Sequence, residues 1–121
     1  MRVKSYRELA VWQKAMDLVI RCYQVTKSFP RCEVYGLASQ LQRAAVSIPA
    51  NIAEGRGREH SKELLHHLSI AYGSLAEVET HIQIAERLNY IDSTEVKQLL
   101  DGTSEIGRML NGLRRSVGRR T

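Results

Sequence analysis

The sequence predicts an all-α protein, specifically an antiparallel up-down four-helix bundle, from three observations. Apolar residues recur at three- and four-residue steps through four long segments. No segment alternates with period two over a useful length. The breaks between segments are short, with only two prolines in 121 residues. Helices are expected over about residues 6–28, 33–54, 60–89 and 93–117, followed by a basic C-terminal tail. A chain of this length fits one domain spanning 1–121.

The first helix opens on Ser-Tyr-Arg-Glu (5–8), with Ser5 and Glu8 in capping-box spacing. Leu9, Trp12, Met16, Val19, Tyr23 and Thr26 then form a heptad-like seam. Phe29-Pro30 stops it, because the residue before proline is pushed out of helical geometry. In the second segment Leu37, Leu41, Ala44, Ala45, Ile48 and Ile52 share one arc, and Arg43, Ser47, Asn51 and Glu54 share the opposite one. The periodicity stays in register across Pro49, so a helix kinked there is expected, not a loop. Gly55 suits a left-handed C-terminal cap.

The third segment keeps helical period from Leu64 to Leu88 through Leu68, Ala71, Leu75, Val78, Ile82 and Ala85. The fourth opens on Asp-Ser-Thr-Glu (92–95), with Asp92 as cap and Glu95 reaching back. Gly102, Gly107 and Gly112 weaken it by roughly 1 kcal/mol each relative to alanine, so it should fray or pack closely on a neighbour.

Charge narrows the function classes. The net charge is +5, and the five basic residues after Ile106 account for all of it: Arg108, Arg114, Arg115, Arg119 and Arg120, with no acid among them. Arg2, Lys4 and Arg7 precede the first acid at the other end. Basic termini on a neutral body suit an anionic partner at a localised patch, or a solubilising tail. No apolar run reaches 18 residues, which argues against a membrane-spanning helix. The opening MRVKSYRELAVWQK carries charges throughout, so a cytoplasmic protein is expected, with Cys22 and Cys32 as reduced thiols.

Catalytic chemistry finds little purchase. His60, His67 and His81 recur on one stripe, but seven residues is about 10 Å along a helix, too far for one metal. Glu63-Leu-Leu-His66 has the Glu-x-x-His spacing of carboxylate di-iron bundles and no second copy. Cys22, Cys32 and Ser47 lack the local signatures of nucleophiles. Gly55-Arg-Gly57 lacks the strand and spacing of a phosphate loop, although Arg56, Arg58 and Lys62 precede a helix N-terminus and could meet a phosphate there. The aromatic residues do not alternate with basic ones as stacking platforms would. No catalytic residue, metal or cofactor is expected.

The stretches YGLASQLQRAAVSIPANIAEGRGR (35–58) and LSIAYGSLAEVETHIQIAERLNYI (68–91), with YRELAVWQKAMDLV (6–19) before them, resemble one family of bacterial four-helix bundles. That family was first noticed in proteins encoded by intervening sequences within 23S ribosomal RNA genes. The resemblance implies a cytosolic bundle without assigned catalytic residues, with relatives that form ring-like homopentamers. One relative, the accessory variability determinant of diversity-generating retroelements, works beside a reverse transcriptase and binds nucleic acid through a basic surface. Arg43, Ser47, Pro49, Asn51, Glu54, Gly55, Gly73, Ser74 and Glu77 carry the motif and look like scaffold and interface positions. Within it, Arg43, Ser47, Asn51, Glu54, Ser74 and Glu77 are expected to form a structural polar network. The sequence departs from the family pattern at EHSKE (59–63) and in the arginine-rich tail after Leu113.

Two readings follow. In the first, a homo-oligomer binds RNA or DNA backbone through Arg108, Arg114, Arg115, Arg119 and Arg120, assisted by Arg2, Lys4 and Arg7. In the second, the bundle is a scaffold or accessory subunit for a partner enzyme, such as a reverse transcriptase, and the tail only solubilises.

Overall fold

The structure, a computed structural model, describes residues 5–58 and 60–119. Among these, four helices form: α1 (Ala10–Thr26), α2 (Leu37–Arg56), α3 (Ser61–Arg87) and α4 (Ser93–Gly118). No strand occurs among the described residues.

Several boundaries differ from the sequence reading for local reasons. The Ser5 hydroxyl accepts from the Arg7 amide at 3.2 Å and closes only a 3₁₀ turn, Tyr6–Glu8. Leu9 is extended (φ −73°, ψ 123°), so α1 begins after it without a side-chain cap. A second 3₁₀ turn, Arg31–Glu33, precedes α2, and Glu33 Oε1 accepts from the Leu37 amide at 3.0 Å. Asp92 caps α4 as expected, accepting from the Glu95 amide at 2.8 Å. Glu95 itself turns to Arg21, 3.7 Å away. The end of α3 is a Schellman motif: Asn89 sits at φ 63°, Tyr90 donates to the Ala85 carbonyl and Asn89 to that of Glu86.

Cross-helix contacts fix the topology. Lys14 meets Glu105 and Arg21 meets Glu95; Ser47 meets Ser74 and Asn51 meets His67; Glu79 meets Thr103 and Tyr72 meets Arg114. In each pair of helices the residue numbers run in opposite directions, so neighbours are antiparallel. Between α1 and α2, Thr26 meets Gln42 while Tyr6 lies by Arg56 and Gly57.

The core is a single buried cluster drawn from all four helices, including Leu41, Ile48, Ile52, Leu68, Ile82, Ile106 and Leu110. The seam of α1 requires a correction. The buried stripe is Val11, Ala15, Leu18, Cys22 and Val25, while Met16 and Tyr23 are exposed. Leu9, Trp12 and Val19 of the expected seam are half-buried and pack against the core beside that stripe, and Thr26 is buried.

Gly55 also differs from expectation. It is no left-handed cap, for no glycine among the described residues has positive φ. It is buried inside α2, where an added Cβ would lie 2.7 Å from His67 Cβ. The helix continues through buried Pro49 to its last residue, Arg56, with Gly57 as cap. Arg114 and Arg115 lie within α4, and Arg119 is its C-cap residue. Leu110 and Val117 are buried and anchor α4 to Gly118, although Gly102 and Gly112 have nothing within 4 Å of an added Cβ.

Candidate functional site

The antiparallel topology gathers four termini at one end of the bundle: the start of α1, the end of α2, the start of α3 and the end of α4. Of the described basic residues, Arg7, Lys62, Arg114, Arg115 and Arg119 therefore lie at that end. Arg7 is exposed, with its guanidinium 5.1 Å from the Tyr6 ring centroid. Arg115 and Arg119 are exposed on the last turns of α4, and Arg114 is half-buried. Arg2, Lys4 and Arg120 lie outside the described residues.

The arginines of α4 are ordered by helical period. At roughly 100° per residue, Arg108, Arg115 and Arg119 fall on one stripe, nearly opposite buried Leu99, Ile106 and Leu110. The stripe is about 16 Å long at 1.5 Å per residue. Among the described residues none of these three makes an ion pair. Their charges are thus available to solvent anions, with Arg108 also acting on nearby Glu105, and Arg115 and Arg119 at the helix C-terminus favour the helix dipole.

At the α2–α3 corner the picture is different. Arg58 is held by Glu54 at 2.8 Å and Glu63 at 3.8 Å, so its charge is largely satisfied within the corner. Lys62 is exposed and Arg56 is half-buried beside Ser5 and Tyr6.

Arg114 leaves the stripe and turns toward α3. Its guanidinium lies 5.4 Å from the Tyr72 ring centroid, a cation–π contact, and its Nη1 donates to Asn111 Oδ1 at 3.2 Å. Tyr72 borders an open cleft of about 340 Å³ between α3 and α4, with Arg108 and Asn111 on its α4 side. Deeper in it, fully buried Thr103 donates to Glu79 Oε2 at 2.7 Å. The sequence reading missed this cleft. Tyr72 and Arg114 are 42 positions apart, and the only available signal was an exposed-phase tyrosine on the third helix.

The polar network forms between α2 and α3 with altered membership. Ser74 donates to Ser47 Oγ at 2.8 Å, Asn51 Nδ2 donates to the same oxygen at 3.0 Å, and Asn51 Oδ1 lies 3.0 Å from His67 Nδ1. His67 joins it and Glu54 does not, because Glu54 pairs with Arg58. Arg43 and Glu77 line an adjoining cleft of about 280 Å³ with His81, whose Nδ1 is buried without a hydrogen bond. Interlocked hydroxyls and an amide fix the register of two helices.

No group of three or more metal-ligating side chains converges among the described residues. Burial pushes the Cys22 thiol up to about 12, far from nucleophilic range, while Cys32 is exposed. No described helix is long and apolar enough to cross a membrane. On α1, Trp12, Met16, Ile20 and Tyr23 line a stripe roughly 130° from the buried face, and Ile20 is 56% exposed.

Comparison with known proteins adds the following. A family model described as 23S rRNA-intervening sequence protein matches residues 7–112, so Arg114, Arg115, Arg119 and Arg120 lie beyond the match. A solved structure of a protein of unknown function from the S23 ribosomal protein family of Bacteroides thetaiotaomicron superposes with a TM-score of 0.80. It is 21% identical, and the alignment covers 87% of this chain and 95% of that one, which shows the shared fold. No curated protein matches the chain.

Proposed function

This chain belongs to the 23S rRNA-intervening sequence protein family, and from that premise we propose that it is a non-catalytic bundle that assembles with copies of itself and holds RNA or DNA by its phosphates. The observation that carries this reading is the stripe of Arg108, Arg115 and Arg119, unpaired among the described residues and facing away from the core. Arg7 and Arg114 share that end of the bundle. Phosphate contacts of this kind release counterions and need no base-specific geometry, which fits a row of guanidinium groups on a straight helix. Self-assembly would multiply a +5 chain into a strongly basic particle. The α1 stripe of Trp12, Met16, Ile20 and Tyr23 supplies an apolar face for it. Homopentamers and a cytoplasmic location remain part of this proposal.

The second reading, docking of a partner enzyme without nucleic acid, is favoured by the same α1 stripe. Fluorescence anisotropy across a salt series separates the two. Substitution is the right perturbation, since truncation of α4 would remove buried Leu110 and Val117. With a DNA duplex, the triple variant Arg108→Gln, Arg115→Gln, Arg119→Gln should reduce the slope of log K against log salt by about 2.7, at roughly 0.9 per phosphate contact. Failure of the unaltered protein to bind RNA or DNA at low salt overturns the nucleic-acid reading and leaves the docking one.

A further inference from the structure

We propose that the α3–α4 cleft is a subsite for an unpaired nucleobase, with Tyr72 as its stacking wall. The proposal rests on the phosphate-binding reading above and adds base recognition to it. Three features of the cleft match what a base presents: a π-face, hydrogen-bonding edges, and an attached phosphate.

The π-face meets Tyr72. Tyr72 as a residue is 39% exposed at the mouth of the cleft, and the Arg114 guanidinium lies 5.4 Å from its ring centroid. The ring packs beside α4 at Gly107, where an added Cβ would sit 3.9 Å from Tyr72 Cε2, an ordinary van der Waals contact. A wall fixed before binding loses little freedom when a base stacks on it.

The edges meet Glu79 and Asn111. Thr103, fully buried, occupies Glu79 Oε2, which leaves Oε1 as an acceptor for a base N–H. The Asn111 carbonyl accepts from Arg114, which leaves its amide N–H groups as donors toward a base carbonyl or ring nitrogen. Both residues line the one cleft, which therefore offers a base an acceptor and donors. They do not suit a bare phosphate, which the Glu79 carboxylate would repel.

The phosphate meets Arg108, which belongs both to the cleft and to the basic stripe. A strand running along Arg108, Arg115 and Arg119 can therefore turn one base inward. In a duplex the bases are paired and stacked, so this subsite selects single strands.

The test compares RNA and DNA 10-mers of one mixed sequence, abasic 10-mers of the same backbone, and a duplex, by anisotropy on the full chain. The base-containing strands should bind more tightly than the abasic ones. Tyr72→Ala should cut that affinity by about fivefold to a hundredfold and leave abasic and duplex binding unchanged. Tyr72→Phe keeps the ring and should stay within about twofold, which guards against a folding artefact. RNA and DNA results rank the two sugars, and a gain of base-containing over abasic strand in either supports the subsite. Equal binding of abasic and base-containing strands overturns the subsite while the phosphate reading stands. So does an equal loss on every ligand in Tyr72→Ala. If no strand binds, a titration with cytidine monophosphate followed by amide NMR decides. Shifts at Tyr72 and Asn111 then support the subsite alone, and their absence overturns both.

Discussion

Replacing Gly55 with alanine sets two effects against each other, and the structure decides the sign. Inside a helix, alanine is favoured over glycine by about 1 kcal/mol, so propensity alone predicts a more stable protein. The new methyl, however, would lie 2.7 Å from His67 Cβ and 3.1 Å from Leu64 Cδ1. Carbon atoms prefer about 3.5–4.0 Å, so roughly an ångström must be recovered. Leu64 can rotate, but His67 Cβ is fixed to the backbone of α3. The two helices must therefore separate at this point, and overpacking of that kind costs about 1–3 kcal/mol. The same movement stretches the 3.0 Å contact between His67 and Asn51, a further cost of about 1 kcal/mol. The net expectation is destabilisation by about 1–3 kcal/mol. Urea denaturation followed by circular dichroism measures it, as a lower midpoint with an unchanged slope. Gly102→Ala is the internal control: an added Cβ there meets nothing within 4 Å, so about 0.4–1 kcal/mol of stabilisation is expected. A Gly55→Ala protein as stable as the parent would refute the reasoning, because propensity would then have outweighed the close approach of α2 and α3.

The two cysteines should differ in reactivity. With Cys22 buried and its thiol pushed up to about 12, an alkylating reagent at pH 8 should label Cys32 alone, and both only in denaturant; two labels on the native protein would contradict the packing of α1. The Lys14–Glu105 pair gives a pH prediction with a definite sign. The hydrogen bond from Lys14, reinforced by its charge, holds the Glu105 carboxyl below the ordinary glutamate range. Its contribution to stability is therefore present above the unfolded value, about 4.3, and is lost as pH falls through the lower folded one. NMR titration should find Glu105 depressed in the parent and returned toward the ordinary range in Lys14→Ala; an unchanged midpoint would dismiss the pair.

What the sequence determined by itself was the kind of element and much of its extent. Period 3.6 through Leu64–Leu88 leaves no alternative to a long helix, and Asp92 with the glutamate three positions later marks a start that the structure keeps. Such signals are local, carried by residues within one or two turns of each other. The sequence also marked Ser47 and Asn51 as a polar set, since polar residues in helical register beside an apolar arc need partners, and the family resemblance added Ser74.

Other assignments had to wait for tertiary structure, because they depend on which neighbour a face meets. α1 has two apolar stripes of comparable strength, and only docking against α2 and α4 selects Val11–Val25 for the core, keeps Trp12 half-buried against it and leaves Met16 and Tyr23 exposed. Gly55 has the sequence context of a cap, yet its role is to admit His67 of another helix. Glu54 sits in register with Ser47 and Asn51, but the turn after α2 brings Arg58 within 2.8 Å and a charge outcompetes a hydroxyl. Tyr72 and Arg114 are strangers along the chain and neighbours in space, because antiparallel packing pairs the start of one helix with the end of the next. Periodicity states that a helix has a face to bury. Only the closed bundle decides which face, and against what.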